Sequence, residues 1–190
     1  MDLSIYDTMK ALEEEARRCT SCVLSESRSQ VVFSSGRLDA ELIVVGEAPG
    51  ASEDRDGTPF VGRSGVLLRR LILEVLGLDS GQYYVTNVVK CRPEGNRKPL
   101  AVEIGTCSHF LERQLEILKG GVILAVGEVA ARTLTQQKIS VGSMRGSVYT
   151  HGDKKVIVTY HPAYALRGGR AIEDSMRVDL GFVGGLLSER

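Results

Sequence analysis

The sequence predicts an α/β protein, a three-layer α/β/α sandwich around a central four-stranded parallel sheet. Three observations carry that expectation. Four short apolar runs, "ELIVVGE", "YYVTNVV", "GVILAVGE" and "KKVIVTY", alternate with helical patterns. Each run is apolar on both faces, as strands buried between two helical layers are. Polar or glycine-rich motifs follow each run, at the ends that parallel strands bring to one edge, where open α/β sheets bind ligands.

The elements are justified in chain order. Residues 3 to 18 read as a helix, because Ile5, Met9, Leu12 and Ala16 follow helical spacing. The first strand ends at the glycine-rich "GEAPGASEDRDGTPFVGRSG", and a helix follows in "VLLRRLILEVLG". The second strand leads through "CRPEGNRKP" to a helix over 101 to 118, with Ile104, Cys107, Leu111, Leu115 and Leu118 on one stripe. After the third strand comes a short helix, "VAARTLTQ". The fourth strand runs straight into "HPAYALRGGR", which reads as a rigid turn at Pro162 and then a flexible basic loop. A weaker helix over 174 to 187 closes the chain. No repeat or low-complexity linker interrupts it, so residues 1–190 are expected to form a single domain.

Composition narrows the function. Hydrophobic content of 43% and charged content of 25% are ordinary for a soluble globular protein. The formal net charge is zero, so any nucleic-acid binding must come from a local patch. The N-terminal "MDLSIYDTMKALEEEARRC" has acids where a signal peptide needs a basic region and an apolar run. No stretch reaches transmembrane length, so a cytoplasmic protein without membrane contact is expected. In that compartment, four cysteines point to metal ligands or free thiols rather than disulfides.

Cys19 and Cys22 form "CTSC", a turn that brings two thiolates to one metal; Cys91 and Cys107 would complete a four-sulfur site, iron–sulfur or zinc. Cys19 and Cys107 also continue apolar helical stripes, where buried cysteines are common. Cys22 and Cys91 lie among polar or charged residues, which core packing does not explain. A thioredoxin-like pair is disfavoured, since "CTSC" follows a helix and not a strand.

The loops at the sheet edge hold further candidates. "GEAPG" and "GTPFVGRSG" contain neither Gly-Lys-Ser/Thr nor G-x-G-x-x-G, so they are not phosphate cradles. The glycines beside Glu47 permit close backbone approach to a ligand, or form a tight turn with a solvated glutamate. Phe60 is either a core plug or a stacking platform for a planar ring. Asn87 either terminates its strand or pairs with a donor and acceptor on a base edge. His161 is either a hydrogen-bonded surface residue or a functional group set at a strand end. Lys90, Arg92, Arg97 and Lys98 crowd the loop around Cys91, and Arg167 adds a cation after His161.

Taken together, "GEAPG", "GTPFVGRSG", "TNVVKCRPEGNRKP", Cys107 and "HPAYALR" resemble the family 4 uracil-DNA glycosylases, iron–sulfur members of the uracil-DNA glycosylase superfamily. The resemblance runs from Cys19 to about Arg167, in the family's motif order. It implies a [4Fe–4S] cluster on Cys19, Cys22, Cys91 and Cys107, and excision of uracil from DNA by hydrolysis of the N-glycosidic bond. It further implies that Gly46, Glu47 and Ala48 line the uracil pocket, Phe60 stacks on the base, Asn87 reads its edge and His161 faces its O2. The best-known superfamily members carry a catalytic aspartate where this chain has Ala48. Glu47 is therefore the first candidate for positioning water and Glu53 the second. Glu94 stands where many members have a second proline, and "CRPEGNRKP" has no histidine, so covalent trapping of DNA is not expected.

The expected partner is uracil-containing DNA, held at its phosphates by Lys90, Arg92, Arg97, Lys98 and Arg167. A monomer is expected, and no polymerase-clamp contact is legible. Two other functions stand beside this one: an iron–sulfur nucleic-acid-binding module without glycosylase activity, and a related glycosylase with shifted preference, for hypoxanthine or xanthine. The module has no need of Glu47, Asn87 and His161 at one sheet edge.

Overall fold

A computed structural model describes residues 4–189. Its centre is the predicted parallel sheet, built from β2 (Leu42–Gly46), β3 (Tyr84–Asn87), β4 (Val122–Val126) and β6 (Lys154–Thr159). Two antiparallel edge strands flank these, β1 (Ser34–Ser35) and β5 (Val148–His151), giving six strands in the order β1-β3-β2-β4-β6-β5. The sequence reading had neither edge strand. β1 is two residues long, and β5 alternates between exposed and half-covered positions without an apolar run. Short, partly polar strands are what protected sheet edges use.

Helices cover both faces. α1 (Ile5–Arg18), α5 (Ala101–Ile117) and α6 (Glu128–Thr135) pack through Leu12, Leu111 and Ala131 against Ile43, Ile123 and Val158. α4 (Arg63–Leu76), α8 (Pro162–Gly168) and α9 (Arg170–Ser188) pack through Leu71, Ala165 and Leu180 against Val44, Leu124 and Ile157. Alternate residues of each central strand thus enter opposite cores, which is why these strands read as apolar on both faces. α1 starts after Ser4, whose side chain accepts from the Asp7 amide; the expected start at residue 3 lies outside the described residues.

Three short helices, α2 (Leu24–Ser27), α3 (Ala51–Asp56) and α7 (Val141–Met144), fill loops. α8 corrects the reading of "HPAYALRGGR" as a turn and flexible loop: Pro162 occupies the first helical turn, where its missing N–H costs nothing. α9 is likewise longer than the expected 174 to 187. No helix among the described residues is long and apolar enough to cross a membrane.

Candidate active site

The four parallel strands deliver their polar ends to one edge, and a cavity of about 370 Å³ opens there. Glu47, Ala48, Glu53, Phe60, Asn87, His161, Arg97 and Arg167 all border it. Pro93, Asn96, Ser64 and Ala163 also line it, and sequence reasoning did not single these out.

Gly46 and Asn87 are register partners across β2 and β3. A side chain at Gly46 would fall on Asn87 Oδ1 and within 2.5 Å of Phe60 Cζ. The missing Cβ is what lets the ring and the amide meet at the cavity floor. Phe60 has φ of 57°, a left-handed conformation that costs a bulky residue roughly 1–3 kcal/mol. Strain of this kind persists where surrounding structure over-determines it. Here the Phe60 backbone packs directly on Gly65 in the first turn of α4, where any side chain would clash. Asn87 is 2% exposed, yet its side-chain amide has no hydrogen-bond partner among the described residues. The amide borders the cavity, where both its donor and its acceptor are available to a ligand.

His161 caps α8: the Ala163 amide donates to its Nδ1 at 3.2 Å. Burial, helped by Arg167, holds the imidazole below its ordinary pKa. A neutral ring that accepts at Nδ1 carries its proton on Nε2. Gly127, at φ 88°, leaves room for the ring: a side chain there would stand 3.0 Å from His161 Cβ. Behind it, the Thr159 hydroxyl donates to Asp179 Oδ2 at 2.7 Å, and Arg145 Nε donates to the same oxygen at 2.7 Å, fixing the end of β6.

The two glutamates differ. Glu53 is spent, accepting from the Gly50 amide at 3.1 Å and the Gly62 amide at 2.7 Å. It holds two loops of the rim together, each oxygen already accepting one backbone amide. The Glu47 carboxylate has no hydrogen-bond partner among the described residues, and burial raises its pKa against the pull of Lys98.

The basic loop corrects the expectation of a row of DNA-facing cations. Lys90 is 1% exposed, and all three ammonium protons are used inside the protein. They go to Thr86 Oγ1 at 2.7 Å, the Asn87 carbonyl at 2.6 Å and Gln114 Oε1 at 2.6 Å. Lys90 cannot reach a phosphate from there. Arg97 makes a bidentate pair with the buried Glu103, at 2.9 and 2.6 Å, which pins the loop to the start of α5. Lys98 is exposed but ion-paired to Glu128. Arg92 holds only Asn96 Oδ1, at 2.7 Å, and Arg167 has no partner among the described residues. The sequence pattern that misled was local charge density, which says nothing of side-chain direction.

A second, smaller pocket is bordered by all four cysteines, together with Ala16, Arg28, Lys90 and Phe110. The cysteines are unbridged. Arg28 donates from Nη1 to Cys91 Sγ at 3.2 Å and from Nη2 to the Cys19 carbonyl at 2.7 Å. The Lys90 amide donates to Cys107 Sγ at 3.4 Å. Burial pushes the Cys91 thiol up to about 11, with Arg28 opposing, and raises Cys107 as well. Among the described residues, no three cysteine, histidine or acidic side chains gather around a single metal-ion position. The donor chemistry nevertheless fits a sulfur-ligated anionic group. Four soft ligands share one pocket and two of their sulfurs accept from N–H groups, while burial lowers the Lys90 pKa to about 7 against the pull of Cys107 and Cys91. Arg28 was missed in the sequence, where a lone arginine in a polar stretch carries no signal.

Comparison with known proteins places this geometry. The profile of the Uracil DNA glycosylase superfamily matches residues 33–179. The chain is 43% identical over 163 residues to a type-4 uracil-DNA glycosylase of Thermotoga maritima, covering 85% of this chain and 84% of the relative. It is 40% identical over 168 residues to one of Sulfurisphaera tokodaii, covering 84% and 76%. A type-4 enzyme of Pyrobaculum aerophilum is 37% identical over 188 residues, covering 94% and 95%.

Proposed function

This chain belongs to the uracil-DNA glycosylase superfamily, with the type-4 enzymes, and from that premise we propose that it excises uracil from DNA. It takes uracil out of the duplex, hydrolyses the N-glycosidic bond and leaves an abasic site, the first step of base excision repair. The observation that carries the reading is the shared cavity of Phe60, Asn87, His161 and Glu47, in which the last three keep side-chain functions free.

A base inside a duplex is out of reach and must be flipped, at a cost of roughly a few kcal/mol. Stacking on Phe60 returns about 1–3 kcal/mol of this. The Asn87 amide, one acceptor and one donor, matches uracil N3–H and O4; cytosine exchanges both positions. Cleavage builds negative charge on the departing uracil and positive character on the sugar. His161 Nε2–H donates to O2 and stabilises the first. The Glu47 carboxylate stabilises the second or orients the attacking water, and its free oxygens favour it over Glu53.

Cys19, Cys22, Cys91 and Cys107 hold a [4Fe–4S] cluster in this reading. When bound, it cross-links the chain around the loop beyond Asn87; the hydrolysis itself transfers no net electrons. The donors to sulfur from Arg28 and the Lys90 amide support it. Arg92 and Arg167 supply contacts to the DNA phosphates, with Lys98 available once its pair with Glu128 opens.

The test is release of free uracil from a uracil-containing oligonucleotide by protein purified without oxygen. DNA binding with no uracil released would favour the non-catalytic module. Iron and sulfide with broad visible absorption are expected in the same sample, and Cys91→Ser should lose both along with thermal stability. Colourless protein carrying stoichiometric zinc would defeat the cluster assignment.

A further inference from the structure

Lys90 is placed between the cysteine pocket and the base-reading amide, and nothing in the proposed chemistry uses it. Its backbone N–H meets Cys107 Sγ at 3.4 Å, while its ammonium meets the Asn87 carbonyl at 2.6 Å. The peptide that follows Asn87 is therefore held from both sides. The Val88 amide donates to the Gly46 carbonyl at 2.9 Å, and the Asn87 carbonyl accepts from Lys90. The other two ammonium protons anchor to Thr86 and Gln114, and Gln114 is itself fixed by donating to the Tyr84 hydroxyl at 2.8 Å. The Asn87 side chain has no partner of its own, so its direction in the cavity depends on this backbone.

We propose that Lys90 is a positioning residue that ties the four-cysteine site to Asn87 and so holds the base-reading amide in register with the bound base. The proposal rests on the uracil reading of the cavity. It assigns the lysine a part in selectivity rather than in DNA attachment. The cysteine site then bears on the active site through one residue, with the Lys90 amide at one end and the ammonium at the other.

The experiment is a double-mutant cycle of Lys90→Met and Asn87→Ala, read as single-turnover uracil release at saturating enzyme. Affinity for abasic-site DNA, iron content and melting temperature are measured on each variant. Lys90→Met keeps the unbranched apolar stem as far as Cε and removes the ammonium donors. It should lower the rate by about tenfold in the wild-type background and by less than about twofold in Asn87→Ala. Abasic-DNA affinity and iron content should stay at the wild-type level. Equal losses in the two backgrounds, or a rate that falls only in step with iron content, would overturn the proposal. If Lys90→Met does not accumulate folded, the same cycle is run with Gln114→Met, which removes an anchor of the ammonium outside the cysteine loop. The same non-additivity supports the proposal and equal losses overturn it. Wild-type protein is the control, since its failure to release uracil would defeat the functional reading itself.

Discussion

The backbone amide of Ala163 donates to Nδ1 of His161 across 3.2 Å, so the helix that begins at Pro162 selects the imidazole tautomer. An N–H can only donate, which leaves Nδ1 unprotonated and puts the ring proton on Nε2. Burial reinforces the neutral form by lowering the pKa.

His161→Ala should therefore cost about 10²–10³-fold in single-turnover excision, the usual price of one donor to a developing oxyanion. DNA affinity should change little. Because the pKa is held below its ordinary value, the wild-type rate should show no histidine titration across neutral pH. A step in the profile near neutrality that vanishes in His161→Ala would contradict the assigned tautomer.

Glu47 should set the acid side of that profile. Its carboxyl is raised by burial, so ionisation is completed at higher pH than for an exposed glutamate. The rate should rise with pH through this raised value, and Glu47→Gln should be slow at every pH. Stability moves the other way. A carboxyl whose folded pKa is raised destabilises the protein as pH climbs through that value, so Glu47→Gln should melt higher than wild type above the carboxylate range. Equal melting temperatures there would mean that Glu47 is solvated.

Arg92→Ala and Arg167→Ala should each weaken DNA binding and flatten its salt dependence by about one unit, with the saturated excision rate retained. Arg97→Ala should instead destabilise the loop, since it strips the buried Glu103 of its bidentate partner. A full unit of salt slope lost in Arg97→Ala, without loss of stability, would return that residue to the DNA-facing surface.

Asn87→Asp keeps size but replaces the amide donor with an acceptor facing uracil O4. A mismatched buried pair typically costs about 1–3 kcal/mol, or roughly one to two decades in rate. Most uracil excision should be lost, with slight activity gained on unpaired cytosine. Steady uracil activity in Asn87→Asp and Asn87→Ala would make the residue a strand terminator.

Much of this arrangement was legible before the structure. Ile43, Ile123 and Val158 enter one core and Val44, Leu124 and Ile157 the other, so runs apolar on both faces revealed parallel strands. Their polar sequels, Glu47, Asn87 and His161, then had to share an edge. The direction of long side chains was not legible. Lys90 and Arg92 are neighbours in a basic loop, and only three-dimensional packing sends one into the core and leaves the other at the surface. Glu53 and Glu47 are equally acidic in sequence, and only packing shows that two loop amides hold Glu53 while no protein donor holds Glu47. The helix at Pro162 was hidden because its apolar stripe is a single turn long.

The most direct test of the central claim is a titration of labelled protein with free uracil, following the Asn87 side-chain amide and the His161 imidazole by NMR. Saturable shifts at both residues, with cytosine far weaker, are predicted. Uracil binding that leaves both resonances in place would contradict the account, because the base would then occupy some other part of the molecule.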